Sequence, residues 1–312
     1  MNRVKQFSKD LYDNRIWLLM ILPGLIWLIV MKYIPMFGQV IAFKNFRFHP
    51  DGFFASVFTS EWVGFENFKF LFSTNDAFVI TRNTLLYNIL FIVVGLILSV
   101  AVAIILSEIT KQRLAKIYQT GMLFPHFLSW VVVSYFVFAF LSVDRGLFNS
   151  VLGYFNIEPV SWYNEPKYWP YFITFISQWK GVGFSSIVYL AAIVGIDRTH
   201  YEAAMIDGAN KWQQIRHVTI PMIMPLIVIL TILNIGSIFS ADFGLFYQIP
   251  RDSGPLYSVT NVIDTYVYRG LMTMGDIGMS TAAGLYQATV GFVLILITNY
   301  IVRKIDEDNA LF

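Results

Sequence analysis

The chain has 312 residues, 56% hydrophobic and 13% charged, with a formal net charge of +2. A water-soluble domain carries about 25% charged residues, so this surface is not built for water, and the small charge without a lysine or arginine run offers no stripe for nucleic-acid phosphates. The absence of cysteine removes disulfides and thiolate chemistry, and the four histidines, His49, His126, His200 and His217, show no metal-ligand spacing.

A bilayer core roughly 30 Å thick needs about 20 mainly apolar helical residues, because every backbone polar group must be satisfied within the protein. Six stretches meet this requirement: 16–37, 84–106, 117–141, 170–196, 222–241 and 278–302. The first is too long for a signal peptide, holds Pro23-Gly24 inside its apolar run and lacks a small-residue cleavage pattern, so a retained membrane helix is expected. The longest connection, 38–78, follows it. There Pro50-Asp51-Gly52 and Asn75-Asp76 read as turns, and the aromatic spacing of "EWVGFENFKFLF" predicts a short amphipathic helix on the outer membrane face.

Basic residues set the orientation. They gather in the tail 1–15 (Arg3, Lys5, Lys9, Arg15), the second connection (Lys111, Arg113, Lys116), the fourth (Arg198, Lys211, Arg216) and the tail 303–312 (Arg303, Lys304). These segments, and with them both termini, are expected in the cytoplasm, although Lys44, Arg47, Lys69 and Arg82 dilute the bias around the first external loop. The fold expected is all-α, a polytopic membrane protein with six transmembrane helices over 16–302.

The fourth connection, 197–221, is unusually polar between two apolar runs, and most of it lies in "EAAMIDGANKWQQIRHVTIPMIMP". Thr199 and Glu202 fit a capping box, Ala203 and Ala204 favour a helix with a bare surface, and Gly208 supplies positive φ at its end. A second short helix over 210–217 would complete a helix-turn-helix at the cytoplasmic face. Periodicity alone serves equally well a pair of helices lying along lipid headgroups.

The literal pattern is more specific. Glu-Ala-Ala at 202–204, then Asp207-Gly208-Ala209, then Ile220-Pro221 entering an apolar span, resembles the EAA motif of permease subunits in binding-protein-dependent ATP-binding-cassette importers. Isoleucine stands at 220 where that family commonly has leucine. "FENFKFLF" at 65–72, "YQTGMLFPHFLSWVVVSYF" at 118–136, "WKGVGFSSIVYLAAIVGID" at 179–197 and the closing "LYQATVGFVLILITNYIVRK" are similar to the carbohydrate permease group, above all its branch for polysaccharides and complex oligosaccharides.

The resemblance implies a subunit of a bacterial cytoplasmic (inner) membrane importer, with Glu202, Ala203, Ala204, Asp207 and Gly208 docking into a groove on a cytoplasmic ATPase. The implied partners are a second permease subunit, expected to be a different chain, an ATPase dimer that holds ATP and Mg, and an extracytoplasmic solute-binding protein that delivers the saccharide. No cofactor is expected in this chain itself, which contains no G-x-x-x-x-G-K-[ST].

Two other readings remain open on the residues. An ion-coupled carrier would need intramembrane acids, and the spans hold almost none, Asp242 lying at an outer end. An intramembrane enzyme would have to be built on His126 and Ser129, which lack an evident acid partner. Polar side chains within spans face a cavity or a protein neighbour. Asn88, Ser129, Gln178, Lys180, Asn234, Ser237, Ser240 and Gln287 therefore stand as candidate cargo contacts, with Trp130, Trp179, Phe239 and Tyr286 as adjoining aromatic platforms; interhelical packing is the competing role for each. Lys180 must pair with an acid, snorkel or face water. Asp242 is the partner expected for it; in the cavity instead, Lys180 would favour an acidic saccharide.

Overall fold

The computed structural model describes residues 13–69 and 75–305. Arg3, Lys5 and Lys9 of the N-terminal tail, residues 70–74 at the end of the expected amphipathic stretch, and 306–312 lie outside the described residues. The first span, α1 (Arg15–Phe43), runs through α, π and 3-10 geometry and carries Pro23 within it. None of its residues from 15 to 37 is buried, and it meets the body of the protein through its last turns.

Strands β1 (Lys44–Asn45) and β2 (Glu61–Trp62) then pair antiparallel, flanking the short helix α2 (Phe53–Thr59). The amphipathic helix expected in "EWVGFENFKFLF" does not form among its described residues, which make β2 and a 3-10 turn, Glu66–Phe68. Its rings gather around one point instead of lining a helix. Phe43 stacks on Trp62 at 5.7 Å and meets Phe65 and Phe68 at 5.5 Å each. Asn67 secures the turn by donating to the carbonyls of Ala42 and Lys44, both at 2.9 Å.

The second span, α3 (Asn75–Ser107), begins nine residues before the expected limit at 84, and Asn75-Asp76 opens it where a turn was expected. An acid in the first turn suits the positive end of the helix dipole. The third stretch is not one straight span. It forms α4 (Gln112–Phe127) and α5 (Trp130–Leu141), bent by 97° at Leu128 and Ser129. Both break residues are extended, and the Ser129 hydroxyl caps α5 by accepting from the Val132 amide at 3.3 Å. Helix α6 (Leu147–Tyr154) follows.

Next come α7 (Trp169–Val194) and α8 (Arg198–Ile206), the latter turned by 69°. The separate helix expected over 210–217 is instead the opening of the fifth span, α9 (Lys211–Gly236). A π turn over Ile215–Thr219 carries the helix into Pro221, whose missing N–H would otherwise interrupt the ladder. A folded connection with a short helix, α10 (Ile263–Arg269), leads to the last span, α11 (Ile277–Ile305).

Helix α7 is central and packs on both α3 and α4. Its outer part supplies Trp169 and Ile173, fully buried with Leu245, Ile249, Leu256 and Val262 of the connection before α11. Farther along, Gly183 makes the crossing with α4 possible, since a Cβ there would sit 1.8 Å from the Met122 carbonyl oxygen. Gly183→Val should therefore lower the thermal stability of the detergent-solubilised protein by at least the ~1–3 kcal/mol typical of overpacking. Size-exclusion chromatography after heating checks it, with Gly121→Ala, at a position open around its Cβ, expected to match the native protein.

Candidate functional site

The Glu-Ala-Ala segment forms an exposed, rigid turn. Asp197, not Thr199, starts α8: its carboxylate accepts from the Thr199 amide at 2.9 Å, and hydrogen bonds from Thr199 hold its pKa below the usual carboxylate range. A carboxylate two residues before Thr199 is the stronger acceptor for an orphan amide, so Glu202 is released from the expected capping role and makes no ion pair among the described residues. The helix ends at Gly208, with φ of +80°. The Gly208 amide donates to the Met205 carbonyl at 3.0 Å and the Ala209 amide to the Ala204 carbonyl at 2.9 Å, the two bonds of a Schellman motif.

Helix α9 starts at once. Asn210 and Gln213 form the reciprocal capping box, at 2.8 and 2.9 Å, that had been expected at Thr199 and Glu202. Three contacts fix the turn to the bundle: the Tyr201 hydroxyl to Thr219 Oγ1 at 3.0 Å, Gln214 Nε2 to the Ala209 carbonyl at 3.1 Å, and an ion pair from Lys211 to Glu108 at 2.8 Å. Glu202, Ala203, Asp207 and Gly208 are exposed and Ala204 is half-buried. Beside them Ile206 is 86% and Trp212 69% exposed, so the turn presents apolar and acidic groups together.

Away from this turn, a cavity of about 240 Å³ opens between α3, α7 and α9. Four of the polar residues singled out from sequence come together in its lining: Asn88, Gln178, Asn234 and Ser237. Gln178 reaches the Phe91 carbonyl at 3.4 Å, and Gly181 adds an open stretch of wall.

Lys180 does not pair with Asp242. Its ammonium donates to the His126 carbonyl at 2.8 Å and lies 5.0 Å from the centre of the Trp130 ring, and no carboxylate among the described residues is within ion-pair distance. Trp130 stands between the two charges, for its Nε1 donates to Asp242 at 2.9 Å. The bend after Phe127 exposes a carbonyl for the lysine, which a straight span would have kept for its own ladder.

The remaining candidates are dispersed. Ser129 is occupied as a helix cap, and His126 stacks on Phe184 at 4.5 Å, so the two do not form a pair. Trp179 faces away from the cavity, beside Pro125 and Gly121. Tyr286 packs edge-on against Phe239, while Gln287 donates to the Phe239 carbonyl at 2.8 Å and to Asp264 at 3.1 Å. Ser240 is exposed at the turn after α9.

Two features had no sequence signal. Asp264 reaches inward to accept from the Ala241 amide at 2.7 Å. Arg251 and Asp252 both adopt left-handed backbone, with φ of +56° and +48°, a conformation costing about 1–3 kcal/mol at each non-glycine residue.

Known proteins are similar to this chain. The protein LplB of Bacillus subtilis (strain 168) is 36% identical over 293 residues, 94% of this chain and 90% of that protein. The polygalacturonan/rhamnogalacturonan transport system permease protein YteP of the same organism is 36% identical over 305 residues, 97% and 92% of the two chains. A chain in the crystal structure of a bacterial ABC transporter involved in the import of the acidic polysaccharide alginate superposes with a TM-score of 0.86 at 32% identity, covering 96% of this chain and 99% of that one. Residues 91–307 match the family described as binding-protein-dependent transport system inner membrane component, and with the bent helical bundle and its exposed glycine turn already in place, the chain belongs to that family.

Proposed function

We propose that the protein is a transmembrane subunit of an ATP-driven importer that takes up an oligosaccharide or polysaccharide, including an acidic one, delivered by an extracytoplasmic binding protein. The exposed turn at Gly208, hydrogen-bonded to α9, carries this reading. The carbohydrate class is supported by YteP, named for polygalacturonan and rhamnogalacturonan transport, and by the alginate importer, which also has a structure in complex with an alginate pentasaccharide-bound periplasmic protein. The chain is a transporter subunit and not an enzyme: ATP and Mg belong to a separate ATPase, and a second permease subunit completes the pathway.

In this reading the turn lies in the cytoplasm, as do both termini, and Glu202, Ala203, Ala204, Asp207 and Gly208 dock on the ATPase. Movement of the ATPase would reach the cargo path along α9, because the same unbroken helix that starts at Lys211 bears Asn234 on the cavity wall. At 1.5 Å per residue that separation is roughly 35 Å. The Tyr201–Thr219 bond would make α8 and α9 move together instead of pivoting at Gly208, and the Lys211–Glu108 pair would tie the start of α9 to the end of α3. Asn88, Gln178, Asn234 and Ser237 would offer hydrogen bonds to sugar hydroxyls in the cavity.

Gly208→Val, which cannot hold φ of +80° without strain, and Glu202→Lys, which reverses a charge at the dock, should each insert normally yet lose coupling. ATPase activity of the reconstituted complex, stimulated by the loaded binding protein, should fall about tenfold or more in both, the effect of roughly 1.4 kcal/mol at the interface. Retention of near-native stimulation would refute the docking assignment.

The orientation is tested by single cysteines. Exposed Asp51 and Glu158 serve as external reporters, with exposed Lys111 as the internal one. In intact cells an impermeant maleimide should label the first two and spare the third.

A further inference from the structure

We propose that Arg251, together with Tyr135, Tyr247 and Gln248, forms a subsite for a carboxylate-bearing sugar unit, a specificity element separate from the cavity between α3, α7 and α9. The inference rests on the reading of the cargo as a saccharide and adds the chemical class of its units.

The first observation is an unused guanidinium. Arg251 lies 4.2 Å from the centre of the Phe138 ring, and among the described residues it has neither an ion pair nor a side-chain hydrogen bond. Its neighbour in the cluster behaves differently. Arg269 is committed to Asp252 at 2.7 Å and also bonds Asn261, and Asp252 further accepts from the Tyr257 hydroxyl at 3.1 Å. Asp252 is thus taken by Arg269, and the Arg251 guanidinium has no carboxylate within ion-pair distance among the described residues.

The second observation is the backbone. Residues 251 and 252 follow a π turn, Gly244–Gln248, in the left-handed region where glycine is the usual occupant. At Asp252 the side chain is repaid by Arg269 and Tyr257. The Arg251 amide donates to the Gln248 carbonyl at 3.2 Å and the Asp252 amide to the Tyr247 carbonyl at 3.1 Å, so the chain's own bonds hold this turn and fix the place of Arg251, whose guanidinium is left with the Phe138 ring alone.

The third observation is the setting. Arg251, Gln248 and Asp252 line a cavity of about 200 Å³ against α5, with Ser134, Tyr135 and Tyr247, and the one carboxylate in this lining, Asp252, is paired with Arg269. Tyr247 is held in place by stacking on Phe243 at 4.8 Å and by the edge of Tyr268 at 5.1 Å, whereas Tyr135 is 66% exposed. A uronate matches this set. Its two carboxylate oxygens suit the paired N–H groups of a guanidinium, its hydroxyls suit the Gln248 amide and the tyrosine hydroxyls, and its C–H face suits a fixed aromatic ring.

The test uses the whole importer with its binding protein in vesicles of pure phosphatidylcholine, so that no anionic headgroup occupies the arginine. Initial uptake rates are measured for trigalacturonate and for its methyl ester, which is neutral and of equal length. Arg251→Gly removes the guanidinium and relieves the left-handed backbone, so a folding defect is not built into the variant; Arg251→Lys keeps the charge without the paired donors. The acid-to-ester rate ratio should fall about tenfold in Arg251→Gly, through a raised KM for the acid, with partial recovery in Arg251→Lys. An unchanged ratio, equal loss for both sugars, or a variant effect that appears only when anionic lipid is added overturns the subsite. If the native complex transports neither sugar, nor any neutral oligosaccharide, the saccharide reading itself fails and the subsite falls with it.

Discussion

A lipid environment provides no water to satisfy a backbone group that leaves its helix, so each departure from helical geometry must be met by another polar group of the protein. This requirement organises the polar residues of the bundle. Lys180 answers the His126 carbonyl at the bend between α4 and α5, and Ser129 answers the Val132 amide on the other side of it. Thr84 accepts from the Ile263 amide at 3.1 Å, Tyr87 donates to the Val259 carbonyl at 2.9 Å, and Asn83 donates to the Asn261 carbonyl at 2.9 Å. Asp264 and Gln287 serve the chain just after α9 in the same way. No buried side-chain nitrogen or oxygen among the described residues is left without a partner.

The same requirement explains what sequence reading captured. Apolar length located the spans, because a mainly apolar run of about 20 residues is what a helix needs to cross a bilayer, and Asp-Gly at 207–208 located the positive φ. The bend in the third span stayed hidden because 117–141 is apolar enough on average to pass as one span, and the group that stabilises its broken ladder lies 54 residues away on α7. The capping box was misplaced for a local reason. Thr199/Glu202 and Asn210/Gln213 fit one pattern, and only the nearby Asp197 decides which pair is free to form it. Polar residues within spans read equally as cargo contacts or as backbone partners. Asn88, Gln178, Asn234 and Ser237 share a cavity even though three of them also donate to backbone carbonyls, while Ser129 and Gln287 bond to backbone outside that cavity, and only the three-dimensional arrangement separates the two groups.

Helix α9 links the two ends of the molecule. Its capping box makes its start well defined, it continues through the π turn and past Pro221 and Pro225, and its far turns form the cavity wall. The left-handed glycine sits outside this rod, between α8 and α9, where it shapes the docking surface without softening the helix behind it.

The α4–α5 bend also has a consequence for the order of assembly. Helix α1 satisfies its own backbone and buries nothing along 15–37, so it can rest in lipid as soon as it leaves the ribosome. The elbow cannot. Its open carbonyl at His126 waits for Lys180, which emerges 54 residues later, and the charge of Lys180 in turn enters the membrane more cheaply beside that carbonyl and the Trp130 ring than alone. The third and fourth spans are therefore a cooperative pair in biogenesis, each carrying a polar defect that the other removes, and they are best handed to the bilayer together.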